Sequence, residues 1–215
     1  MITSKRGVLM IARKTAWLGL LLAVFLLAGC SCKKYEQQIA QMEEQIGDLQ
    51  TQVADKDATI AEANQIADGL RADLKKCQAD NAVLVEQINE VVMIRIPDKL
   101  MFASSSVLVL DTMVPTLEAI ASQIRQHPTW DAYVEGYTDN KKILEDWQEK
   151  WPSNWELGAS RSCAVVRYLT NQLDLPAERF AAVSYGPFHP VAPNDTPEGR
   201  DQNRFVQVVL HKPTR

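Results

Sequence analysis

From Tyr35 to Val91 the chain has no proline and repeats its apolar residues every seven positions. Position a holds Ile39, Ile46, Val53, Ile60, Ala67, Leu74, Asn81 and Ile88; position d holds Met42, Leu49, Lys56, Ala63, Leu70, Cys77, Leu84 and Val91. A stripe of this period marks one long helix whose seam needs a cover, so the spacing predicts a coiled coil over 35–91. β-branched residues at a with Leu or Met at d favour a parallel homodimer, and Asn81 at an a position would fix its register. The alternative is a lone helix packed on something else. Lys56, Ala63 and Ala67 in the seam, with Gly47 and Gly69 outside it, weaken the middle of the repeat. A helix of about 57 residues would reach roughly 85 Å at its rise per residue. Parallel strands would bring Cys77 against its symmetry mate, where an interchain disulfide is geometrically allowed.

The segment before the repeat is a leader. Lys5, Arg6, Arg13 and Lys14 form a basic region, Ala16 to Ala28 a short apolar run, and Leu27-Ala28-Gly29-Cys30 closes it. This is the pattern of a secretory signal over 1–29, too short to span a bilayer unaided. The small pair before the cysteine resembles the lipobox of bacterial lipoproteins. That resemblance implies cleavage before Cys30, acylation there, and a short lipidated linker over 30–34. Several acyl chains, each burying about 0.8 kcal/mol per methylene, would anchor the chain to a membrane without a spanning helix. Ser31 stands where an inner-membrane retention signal would place aspartate, which implies the periplasmic face of the outer membrane. Removing the leader's four basic residues leaves a formal charge of about −8, a surface that does not suit nucleic acid. Export also implies an oxidising compartment for Cys32, Cys77 and Cys163, the last expected as a small buried thiol.

The second half of the chain reads as alternating strands and helices. Val92 to Phe102 is extended around a Pro97-Asp98 turn, and a helix begins near Asp111 with Pro115 in its first turn. Asp131 to Tyr137 alternates as a strand and ends at Thr138-Asp139. Ser153-Asn154-Trp155-Glu156 is a capping box that starts a helix running to about Asn171. Arg179 to Tyr185 and Arg204 to His211 are further strands, the second reached through a loop with Pro190, Pro193 and Pro197. This is an α+β pattern, a mixed sheet with helices on one face. One residue breaks it: Arg161 falls on the apolar stripe of Leu157, Ala164, Val165, Tyr168 and Leu169. A guanidinium there needs a carboxylate, and Asp139 is the nearest expected in sequence, either as a structural partner or as half of a ligand site.

The tract Gly136-Tyr137-Thr138-Asp139-Asn140, then Pro152-Ser153-Asn154-Trp155-Glu156-Leu157 and Asn194-Asp195-Thr196-Pro197-Glu198-Gly199-Arg200, resembles the peptidoglycan-binding OmpA/MotB C-terminal domain family, with wording nearest the MotB branch. The resemblance implies that 92–215 forms such a domain and that its ligand is the diaminopimelate of a peptidoglycan stem peptide. By motif, Asp139 would take the ligand's ammonium and Arg161 its carboxylate, with Thr138, Asn154, Asn203, Arg204 and Ser105 around them. Ala103 replaces a usual Asp, Phe205 a second Arg, and Gly158 a commoner Ser. Asn140 to Pro152, carrying Trp147 and Trp151, is longer than usual: a solvated loop tucked onto the domain, or an accessory contact.

A wall-binding lipoprotein tying the outer membrane to peptidoglycan is therefore expected, with neither enzymatic turnover nor a cofactor. His127, His189 and His211 have no metal-ligand spacing, and no activated nucleophile is visible. The rivals are a MotB-like flagellar stator, which needs an acidic residue that Ala16 to Ala28 lacks, and a structural subunit of an envelope or secretion machine.

Overall fold

The computed structural model describes residues 5–76, 83–103 and 106–213, with the backbone alone for 5–32 and Lys76. The chain divides between Asp55 and Lys56 into two units. The first is the N-terminal part of helix α1, Lys5–Lys76. Here Ile39, Met42, Ile46, Leu49 and Val53 of the seam are each 51–59% exposed. Among the described residues no helix is long and apolar enough to cross a membrane. The side chain of Cys30, and Cys77, Asn81 and Ser105 altogether, lie outside the described residues.

In the second unit the seam changes use. Ala63, Ala67, Leu70 and Leu74 continue the a and d positions but, with Ile66, are buried in the domain core. The half-buried Gly69 lies against Gln123, whose side-chain amide would be 2.7 Å from a Cβ placed there. The coiled-coil boundary expected at Val91 is thus too long. Leu84–Ile88 is strand β1, paired antiparallel with β2, Val91–Pro97. Asn89 turns the hairpin with φ 53°, a left-handed conformation that asparagine tolerates. Leu84, Ile88 and Val91 fit a heptad, but the crowded β-branched residues from Val83 to Ile96 pack better on a pleated sheet.

After β2 come a short helix α2, Asp98–Met101, in place of the extended chain expected as far as Phe102, and helix α3, Val114–Gln126, entered through one 3-10 turn. Strand β3 is Asp131–Tyr137, α4 Glu145–Gln148 and α5 Asn154–Asn171. Strand β4 is Phe180–Gly186, α6 Pro197–Asn203 and β5 Phe205–His211. The sheet order is β1-β2-β5-β3-β4, antiparallel except for β3 with β4. This is the mixed sheet expected from the sequence.

Register puts one apolar face inward. Val92, Ile94 and Ile96 lie opposite Leu210, Val208 and Val206, which in turn flank Ala132 and Val134. Against that face pack Leu117, Ile120 and Ile124 of α3 and Ala164, Val165 and Leu169 of α5. Cys163 is exposed on α5 rather than buried, since its helical position faces away from the Ala164-Val165 side.

Candidate functional site

The site forms where β3 ends against the start of α5. The Ser153 hydroxyl accepts from Trp155 N at 3.1 Å, and Glu156 accepts from Ser153 N at 2.8 Å, completing the expected capping box. The Ser153 hydroxyl, hydrogen-bonded to Glu156, holds that carboxyl below the usual range. Two glycines let this helix lie on the strand. A Cβ on Gly136 would fall 2.2 Å from the Gly158 carbonyl oxygen, and one on Gly158 would fall 2.4 Å from Ser184 Oγ. No side chain fits at either place.

This close approach brings Arg161 and Asp139 into the lining of one cleft of about 170 Å³, shared with Thr138, Asn154, Leu157 and Arg204. They do not pair with each other. Arg161 Nη2 meets Asp98 Oδ2 at 2.7 Å, both side chains being largely buried, and its guanidinium lies 5.7 Å from the Phe102 ring. Asp139 Oδ2 pairs with Arg204, which also reaches Asp201. The expected carboxylate partner of Arg161 is therefore corrected to Asp98. That residue opens α2 directly after β2, and its N–H donates to the Arg204 carbonyl at 2.9 Å, which fixes it at this end of the sheet.

The two bridges differ in kind. Asp98 Oδ1 and Arg161 Nε and Nη1 are buried without hydrogen-bond partners. Burial raises the Asp98 carboxyl above its usual range despite the opposing pull of Arg161 and Arg204, and burial likewise lowers Arg161 despite Asp98. Desolvation thus outweighs attraction for both charges, the usual condition of an incompletely satisfied buried ion pair. Asp139 is better served. Its Oδ1 accepts from Lys141 N at 2.9 Å, and Arg204 is part-exposed.

The remaining expected residues divide by what they touch. Asn154 Nδ2 donates to the Asp139 and Lys141 carbonyls at 3.2 and 2.8 Å, tying the helix start to the loop after β3. Thr138 N donates to the Gly186 carbonyl at 3.0 Å, and its hydroxyl to the Asp139 carbonyl at 3.1 Å. Asn203 is buried outside the cleft lining: its Oδ1 accepts from Val191 N and Ala192 N at 2.8 and 2.9 Å, while Nδ2 donates to Ala192 O and Asn194 Oδ1 at the same distances. It shapes the loop before α6. Sequence reasoning missed Asp98, for which Pro97-Asp98 after an alternating strand was the available signal, and missed α6, signalled by Thr196 as cap with Pro197 behind it.

The segment between Asp139 and α5 also builds the cleft, contributing Lys141, Lys142, Ile143, Leu144, Trp147 and Trp151 to its lining. Trp151 is buried, donates from its indole to Ser160 Oγ at 3.0 Å and stacks on Trp147.

Residues 101–204 match the OmpA family. The solved structure of the cell wall anchor of the T6SS from Pseudomonas aeruginosa is 31% identical with a TM-score of 0.59, across 69% of this chain and 97% of that one. Residues 101–204 are an OmpA family domain. The resemblance carried by the Thr138-Asp139 and Asn194 to Arg200 motifs is thereby established for the OmpA domain. Motility protein B of Bacillus subtilis is 28% identical over 149 residues, 69% of this chain and 56% of that protein. The peptidoglycan-associated lipoprotein of Agrobacterium fabrum is 30% identical over 117 residues, 54% of this chain and 62% of that protein. The chain spans about half the length of the curated relatives it matches.

Proposed function

We propose that this chain binds peptidoglycan noncovalently, through the diaminopimelate of a stem peptide, and that acyl chains on Cys30 hold it at the outer membrane. The observation that carries the proposal is that Asp139 and Arg161, opposite charges on a strand end and a helix, line one cleft without pairing with each other. A diamino acid whose free end bears an ammonium beside a carboxylate matches that arrangement. The ammonium would go to Asp139 and the carboxylate to Arg161, whose planar fork can donate twice. Arg204 would be displaced from Asp139 but keep Asp201, so no charge would be stranded. Thr138, Asn154 and Asn203 would hold the frame, and Ser105 would donate a further hydrogen bond. Such a site anchors without turnover. The relatives described by name as a cell wall anchor and as peptidoglycan-associated support the same role.

Pull-down on purified diaminopimelate-type peptidoglycan tests this. Asp139→Ala and Arg161→Ala should each abolish binding while circular dichroism reports a folded domain. Asp139→Asn and Arg161→Lys, which preserve shape, should weaken it by at least tenfold. Unchanged binding by all four would leave the two bridges merely structural.

A second reading, a subunit of an envelope machine such as a stator or secretion apparatus, is favoured by the near-complete coverage of the T6SS anchor. Palmitate labelling with mass spectrometry of the mature end distinguishes the lipoprotein from a spanning stator. Crosslinking from the exposed seam of α1 would reveal a machine partner.

A further inference from the structure

The bridged groups at the cleft are three carboxylates, Asp98, Asp139 and Asp201, against two guanidiniums, Arg161 and Arg204. Lys141 and Lys142 do not enter that balance. Both line the cleft, both are exposed, and neither ammonium meets a carboxylate among the described residues. The acids of the same segment, Glu145, Asp146 and Glu149, are exposed away from the cleft lining. In a chain of net charge −4, the two lysines thus turn the balance at this cleft from one net negative charge to one net positive charge.

The lysines also stand on fixed backbone. Lys141 N donates to Asp139 Oδ1, and the Lys141 carbonyl accepts from Asn154 at 2.8 Å. Further along, Gln148 Nε2 donates to the Ile143 carbonyl at 2.9 Å, Trp151 N to the Trp147 carbonyl at 2.8 Å, and the Trp151 indole anchors the far end on α5. The segment is a built wall of the cleft, which Ile143, Leu144 and Trp147 line together with the two lysines.

We infer that Lys141 and Lys142 form a second, cationic subsite, which takes an additional carboxylate on the residue joined to the diamino acid. The ligand is then an acidic peptide and not the diamino acid alone. This rests on the wall-binding proposal, because a zwitterionic head brings no net charge to the bridged groups, and only a further anion on the same molecule calls for the positive charge that the lysines add. Exposed ammonium groups contribute modestly and are screened by salt.

The test is calorimetric titration of the full chain with three probes: diaminopimelate, γ-D-glutamyl-diaminopimelate, and the same dipeptide with its glutamyl carboxylate converted to the amide. The glutamyl probe should bind on the order of threefold to tenfold tighter than the amide at low salt. That ratio should fall towards one in 0.5 M salt and in the Lys141→Gln/Lys142→Gln double variant, and should persist when both lysines are replaced by arginine. Binding of all three probes without a carboxylate preference, or a preference that survives the glutamine variant, overturns the subsite while leaving the diaminopimelate proposal standing. Failure of all three probes to bind overturns both.

Discussion

Arg161 occupies a position on the α5 stripe where helical periodicity calls for an apolar side chain, and Asp98 answers it from the end of β2. Removing one partner of a buried pair strands the other, so Asp98→Ala should cost about 3–5 kcal/mol, read as a lower urea midpoint. The pH dependence follows from the direction of the shift. Burial raises the folded carboxyl of Asp98 above its unfolded range, so the folded state binds the proton more tightly. Its contribution to stability is therefore greatest in acid and falls as pH rises from the ordinary aspartate range through the raised value. Stability curves should show that decline in the native chain, and Asp98→Asn should flatten it. The need for a partner was legible in the sequence, because a capping box and a stripe place Arg161 without any tertiary knowledge. The partner's identity was not. Asp98 reaches Arg161 only through the pairing of β2 with β5 and the packing of α5 on β3, contacts between residues far apart in the chain.

At the scale of elements, α5 and β3 were readable because cap, period and alternation agree there, whereas α1 was readable only as a helix. Its heptad continues through Ala63, Ala67, Leu70 and Leu74, yet those residues serve the domain core. Period alone cannot distinguish a seam facing another helix from one facing a sheet. The hairpin at Asn89 was obscured for the same reason, since Leu84, Ile88 and Val91 satisfy both patterns. A fragment starting at Val92 should consequently lose β1 and the covering turns of α1, and unfold at much lower urea than one starting at Lys56. Leu70→Ala should cost about 2–5 kcal/mol by the same measure, as expected of a buried leucine. Glu62 reports the docking of α1 electrostatically. Burial would raise its carboxyl, but Trp130, whose indole N–H faces it short of hydrogen-bond geometry, His127 at 3.2 Å and Lys212 at 3.3 Å together bring it below the usual range. Its stabilisation should be present above the ordinary glutamate range and vanish as pH falls through the lowered value. Glu62→Gln should remove that acid-side loss.

For the whole molecule, one helical stripe is divided between two tasks. Its C-terminal part completes the core that carries the OmpA family domain, and its exposed part, Ile39 to Val53, keeps the β-branched and leucine pattern of a parallel pair. Ile46→Asn with Leu49→Asn should convert a dimer to a monomer in sedimentation equilibrium while leaving the domain's urea midpoint unchanged. A native chain that sediments as a monomer at micromolar concentration would overturn the parallel-pair reading. In the cleft, opposite charges are held apart by strand and helix, the arrangement proposed to take a zwitterion. The most direct measurement is the nuclear magnetic resonance titration of the full chain with free diaminopimelate. Saturable shifts are expected at Thr138, Asp139, Lys141, Asn154, Arg161 and Arg204 and nowhere else, and none in Asp139→Asn. Shifts that are missing, or that persist unchanged in that variant, would contradict the zwitterion proposal.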